Sequence, residues 1–130
     1  MNLLKRITTG IALGLMLGLT ACAPKVDGMT TQDAAAMLTQ KAAVMVDVRE
    51  PDEWHEKHID GAIHIPLGQV ESRLGELSQY KDQTVIMQCR SGRRSAEAAG
   101  ILKNAGFTKV YNLDGGILAW EESGLKVVKQ

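Results

Sequence analysis

TVIMQCRSGRRSAEAAG, residues 84–100, passes from an apolar run to a charged loop to a helix-favouring stretch. TVIMQC, 84–89, reads as a buried strand that delivers Cys89 at its carboxyl end. From Ser95 to Ala105 the residues favour helix, with Gly106 placed to cap its end. Between them, CRSGRRS packs Arg90, Arg93 and Arg94 beside the cysteine, with Ser91, Gly92 and Ser95. A thiolate is the reactive form of cysteine, and an unperturbed thiol titrates near ~8.5. The arginine charge, the amino-terminal end of a following helix and a glycine-containing nest of backbone N–H groups would each favour an ionised sulfur and a bound anion. The plainer alternative is a core cysteine beside solvated arginines.

Working outward, AAVMVDV (42–48), AIHIP (62–66) and KVYNL (109–113) read as further strands. Pro51 ends the first of these and opens a short helix. Leu67, Val70, Leu74 and Leu77 recur at spacings of three and four, which predicts an amphipathic helix. Thr30 and Asp33 in TTQD fit a capping box, with Ala34, Met37 and Leu38 at helical spacing behind it. DGG (114–116) makes a turn into a last helix, ILAWEESG, capped near Gly124. Strands alternating with helices predict an α/β domain whose mostly parallel central sheet is flanked by helices. Ligands bind such sheets beyond the carboxyl ends of the strands, where Cys89 stands.

The chain has 130 residues, 45% of them hydrophobic and only 4% aromatic, so one core is expected, built from Val, Ile, Leu, Met and Ala. Its formal net charge is zero, which argues against nucleic acid as a partner and makes the arginine loop a local feature. The amino-terminal end differs in kind. Lys5 and Arg6 precede an uncharged run, Ile7 to Leu19, and then TACA, the order of a secretory signal peptide. That run is shorter than the roughly 20 residues a membrane-spanning helix needs. LTAC, Leu19–Cys22, resembles the bacterial lipobox, which implies lipidation of Cys22 and a mature chain starting there. An ordinary signal peptide with an incidental cysteine is the alternative. The expected division is therefore 1–21 signal peptide, 22–28 short linker and 29–130 domain. The expected location is the periplasmic side of a bacterial membrane, touched only through the lipid anchor. The mature chain would then hold one thiol, Cys89, in a compartment that oxidises thiols.

Four motifs in order resemble the rhodanese family: DVREPDEW (47–54), HIDGAIHIP (58–66), CRSGRRS (89–95) and LDGGILAW (113–120). The resemblance implies a rhodanese-like three-layer domain and a sulfurtransferase working through a persulfide on Cys89. A small donor such as thiosulfate would supply sulfur, and a thiol or cyanide would accept it, with no cofactor. The resemblance places donor binding on Arg90 first, with backbone N–H groups from Ser91 and Gly92. Arg93 would add field, and Arg94 would hold the anion or brace the loop against a carboxylate. Ser95 reads as a helix-start residue. Asp47 and Arg49 would support the loop from behind, and Trp120 and Gly115–Gly116 read as packing and turn residues. His55 and His58 lack a third ligand, so no metal site is expected; His64 is expected to face outward. The rival readings are a persulfide carrier or binding module serving a dedicated protein partner, and a phosphatase or arsenate reductase. The latter would need five residues between cysteine and arginine, where Cys89 and Arg94 enclose four.

Overall fold

The computed structural model describes residues 24–129. The expected leader and Cys22 lie outside the described residues. In chain order the elements are β1 (Asp27–Met29), α1 (Thr31–Thr39), β2 (Ala43–Asp47), α2 (Pro51–Glu56) and β3 (Ile63–His64). Two 3₁₀ segments follow, Leu67–Gln69 and Glu71–Tyr80, then β4 (Thr84–Gln88), α3 (Arg93–Asn104), β5 (Lys109–Leu113) and α4 (Gly116–Glu122). The five strands lie in the order β1-β5-β4-β2-β3, and every described pairing is parallel.

The apolar runs of β2 and β4 sit in the middle of the sheet because both their faces are covered. Val85, Met87 and Cys89 point to the side packed by Ala98, Ala99 and Leu102 of α3, by Val70 between the 3₁₀ segments and by Leu77 of the second. Ile86 and Met45 point to the other side, against Ala34 of α1 and Ile117 and Trp120 of α4. The result is the expected three-layer α/β architecture. With all strands running one way, their carboxyl ends share one edge, and Cys89 is the first residue beyond β4 at that edge.

Thr30 caps α1 as expected, its Oγ1 accepting the Asp33 N–H at 3.1 Å. Four expectations are corrected. Residues 67–80 wind as 3₁₀ rather than α-helix. Gly68 and Gly75 weaken an α-helix there, and the Ser72 and Ser78 hydroxyls donate to carbonyls three residues back, Gln69 O at 3.1 Å and Gly75 O at 2.9 Å. The expected linker 22–28 ends inside the edge strand β1, which pairs Asp27 with Tyr111 and Gly28 with Asn112. Backbone pairing with β5 makes that strand, not side-chain propensity, and the Asp114 carboxylate fills the space where a Cβ on residue 28 would stand. Helix α3 begins at Arg93 rather than Ser95, because Gly92 turns the chain at φ +113°. Finally, His64 is half-buried, with Nε2 2.7 Å from Arg49 O and its ring parallel to Trp54 at 4.7 Å.

Candidate active site

Cys89 is 1% exposed and lies at the floor of the loop between β4 and α3. The loop turns its donors onto the sulfur: the Gly92 N–H donates to Sγ at 3.0 Å, and the Ser95 hydroxyl lies 3.2 Å away. Burial pushes the Cys89 thiol up. Hydrogen bonds from the Ser95 hydroxyl and from the N–H groups of Ser95, Gly92 and Ser91 outweigh that penalty and hold it below its ordinary value. The arginine charge expected to act directly on the sulfur is not among the leading causes; the N–H nest is.

Ser95 is the third residue of α3, fully buried, with its hydroxyl turned back into the loop. One hydroxyl carries one proton. Three acceptors surround it: Cys89 Sγ, Gly92 O at 3.2 Å and Asn112 Oδ1 at 2.6 Å. Asn112 is fixed in turn by its Nδ2, which donates to Gly92 O at 2.8 Å. The hydroxyl can thus turn to the sulfur when it is ionised and to Asn112 when it is not. Sequence reasoning missed this role for Ser95 and missed Asn112 altogether. The signal available for Asn112 was its place near the end of the strand beside β4. Ser95→Ala removes the side-chain donor, so the pH midpoint for Cys89 alkylation moves up and the rate with iodoacetamide at pH 7 falls roughly tenfold. An unchanged pH–rate profile would show the hydroxyl to be idle.

The loop is held from behind by its carbonyls. The Ile117 N–H donates to Cys89 O at 2.9 Å and the Leu118 N–H to Arg90 O at 3.2 Å, while Gln88 Nε2 also donates to Cys89 O at 2.9 Å. With C=O groups pinned outward, the N–H groups face the sulfur. The start of α4 approaches this closely only because residue 116 is glycine: a Cβ there would lie 2.6 Å from Cys89 O and closer still to Arg90 O. Gly115–Gly116 were expected to be turn residues, and Gly116 also seats the loop, while a Cβ on Gly115 would meet Ala119 of α4 instead.

A chain of charged groups joins the loop to β2. Arg94 makes a two-pronged pair with Glu53, at 2.6 and 2.9 Å. The same carboxylate accepts the Glu50 N–H at the start of α2, at 3.2 Å. Asp47 and Arg49 are buried and paired at 2.7 Å. Arg49 also donates to Glu53 O at 3.3 Å and Lys57 O at 2.8 Å, holding the carboxyl end of α2. Asp47 and Arg49 thus reach the loop through the helix that carries Glu53. The Arg94 guanidinium lowers the Glu53 carboxyl from 4.5 to about 2. Its stabilisation is whole above about pH 4.5, declines as pH falls and is gone below about pH 2. Glu53→Gln should therefore lose about 1–2 kcal/mol at pH 7, since the pair is partly open to solvent. The gap from wild type should close between pH 4.5 and 2, as urea unfolding at pH 3, 5 and 7 would read; a gap independent of pH would refute the pairing.

The arginines are not equivalent. A hollow of about 420 Å³ opens above the sulfur, lined by Leu67, Cys89, Ser91, Arg93, Arg94 and Glu97. Arg90, the expected first donor-binding residue, lines a neighbouring hollow of about 260 Å³ with Arg49, Glu53, Lys57 and Leu118. Arg94 braces rather than projects. Arg93, expected only to add field, is the exposed arginine at the mouth above Cys89. No cluster of three or more His, Cys, Asp or Glu side chains able to hold a metal occurs among the described residues. His58 instead places Nδ1 3.0 Å from Trp54 O and stacks on that ring at 3.7 Å.

A buried thiol at the carboxyl edge of a parallel sheet, under converging N–H donors, defines an α/β domain with a cysteine-loop site. The rhodanese-like domain family matches residues 30–123, and the chain belongs to that family. It is 45% identical over 76 residues to the probable adenylyltransferase/sulfurtransferase MoeZ of Mycobacterium tuberculosis, a match covering 58% of this chain and 19% of that one. It is 39% identical over 85 residues to a sulfurtransferase of Allochromatium vinosum, covering 65% of this chain and 78% of the other. The crystal structure of a rhodanese-related protein from Thermoplasma volcanium superposes with a TM-score of 0.72 at 30% identity, covering 80% of this chain and 99% of that one. The chain thus spans about a fifth of MoeZ and about three quarters of the Allochromatium protein.

Proposed function

We propose that the protein transfers sulfane sulfur through a persulfide on Cys89. The observation that carries this reading is the seating of Sγ beneath converging N–H and hydroxyl donors, which favours a thiolate and would hold the charge of a persulfide. The Cys89 thiolate attacks the outer sulfur of a thiosulfate-type donor. A new S–S bond forms, the donor's S–S bond breaks, and its electron pair leaves with sulfite. A thiolate or cyanide acceptor then attacks the outer persulfide sulfur and returns Cys89 to the thiolate. Neither step requires a proton from the protein, in keeping with a loop that has no histidine. Ser91 and Gly92 supply N–H groups, Arg93 attracts the anionic donor, Arg94 braces the loop and Arg90 attends the neighbouring hollow. The name of the Allochromatium relative supports the reading.

Persulfide carriage between dedicated protein partners is the second reading, favoured by the depth of the sulfur. A phosphatase reading is weaker, because both terminal nitrogens of Arg94 are engaged by Glu53 and four residues separate it from Cys89. We further propose that the chain is exported and lipid-anchored at Cys22, on the strength of Lys5, Arg6, the apolar run and LTAC. Intact-mass measurement after incubation with thiosulfate, polysulfide or a protein persulfide should show a gain of one sulfur that cyanide removes. Sulfur gained only from a protein persulfide would select the carrier reading. Protein left unmodified by every donor while hydrolysing aryl phosphates would overturn sulfur transfer.

A further inference from the structure

The edge of the sheet opposite Cys89 carries a charge of its own. Parallel strands place all their amino-terminal ends together, and the register sets Lys109 beside Thr84 and Thr84 beside Ala43. Around this edge stand Lys25 before β1, Lys41 before β2, Lys81 before β4, Lys109 opening β5 and Lys103 in the last turn of α3. The loops carrying them are tied together. Lys103 Nζ donates to Lys25 O, and the Thr108 N–H donates to Lys81 O at 3.0 Å. Four of the five lysines are exposed, Lys103 is half-buried, and none forms an ion pair among the described residues. The loops that carry these lysines also hold two carboxylates, Asp27 and Asp82. Five lysines against two aspartates leave this edge net positive, while the rest of residues 24–129 holds eight basic and thirteen acidic residues.

The chain also enters the domain here. Pro24 lies against Gly100 of α3, 3.7 Å from where a Cβ would stand, and Lys25 beside it accepts from Lys103 at the lysine edge. The sequence before Pro24 holds the uncharged run Ile7–Leu19. We infer that the lysine edge rests on an anionic phospholipid surface, leaving the loop of Cys89 facing away from the membrane. Lysines within a Debye length of such a surface, ~10 Å at 0.1 M salt, are attracted to it. The inference rests partly on the anchor reading, because the anchor supplies proximity; the charge placement stands apart from it.

The test uses the full chain with vesicles of phosphatidylcholine alone, or with about a third phosphatidylglycerol. Lysine acylation is read residue by residue by peptide mass spectrometry. Lys81 and Lys109 should label at least ~3-fold more slowly on the anionic vesicles in low salt, and the difference should vanish near ~0.5 M salt. Lys126, whose carbonyl accepts the Trp120 Nε1–H on the α4 side, should not change. Equal labelling on both vesicles overturns the inference. So does equal protection by soluble heparin without vesicles, which would assign the edge to polyanions such as nucleic acid. Chain left in solution with phosphatidylcholine alone would count against the anchor, yet slower labelling on anionic vesicles would still uphold the edge.

Discussion

Cys89→Ser is expected to gain no sulfur from any donor and to retain less than about 10⁻⁴ of wild-type turnover. The side chain is nearly isosteric, and its hydroxyl would meet the same donors that now meet the sulfur, so the loop should keep its shape. What changes is the chemistry. The Cys89 thiol is held below its ordinary value by hydrogen bonds acting against burial. A serine hydroxyl ionises so much less readily that the same bonds leave it neutral at pH 7. No anion remains to open the donor's S–S bond, and no S–S product can form on oxygen. Intact mass with and without donor reads the outcome, and circular dichroism checks the fold. Cys89 is the free cysteine among the described residues. A sulfur gained by the variant would therefore direct attention to Cys22, and Cys22→Ser provides the matching control.

Gly116→Ala is expected to cost about 2–5 kcal/mol, lowering the melting temperature by roughly 10 °C or more. Residue 116 has φ +61°, which disfavours any side chain, and the added carbon would stand 2.6 Å from Cys89 O. The atoms it meets are backbone, so no side chain can swing aside. Relief requires α4 to back away, which breaks the Ile117 and Leu118 hydrogen bonds to the loop. The N–H groups on Sγ would then lose their alignment, and Cys89 should alkylate more slowly at pH 7 even in the folded fraction. Gly124→Ala provides a contrast: its φ is +74°, but nothing lies within 4 Å of an added Cβ. It should cost only about 1–2 kcal/mol. Equal losses at the two positions would refute the close approach as the cause.

The central strands and the thiol's position were legible because β2 and β4 are unbroken apolar runs and Cys89 ends one of them. The edge strand β1 was not, since VDGM has no apolar alternation and forms by pairing with β5. The start of α3 was misplaced because serine is a favoured helix cap, whereas the chain enters the helix through Gly92, whose need for an unusual backbone dihedral is legible in the loop but not its role as the helix cap. The same substitution of roles hid Ser95 from the site. Charge was legible as composition but not as geometry. Three arginines in six residues announced an anion site, yet which of them line the hollow over Cys89, and which of those is left unpaired, depends on the turn at Gly92 and on Glu53, distant in sequence.

The loop around Cys89 is shaped almost wholly by its main chain, by Gly92 and by what Gln88, α4, Ser95 and Glu53 fasten to it. The side chains of Arg90, Ser91 and Arg93 are exposed and form none of the side-chain hydrogen bonds or ion pairs among the described residues that fix it. The site is accordingly a rigid socket with an exchangeable rim. Randomising those three positions should yield variants that differ in which sulfur compounds they admit while sharing one reactive thiol and one melting temperature, a separation of selectivity from reactivity that suits this small domain to redesign.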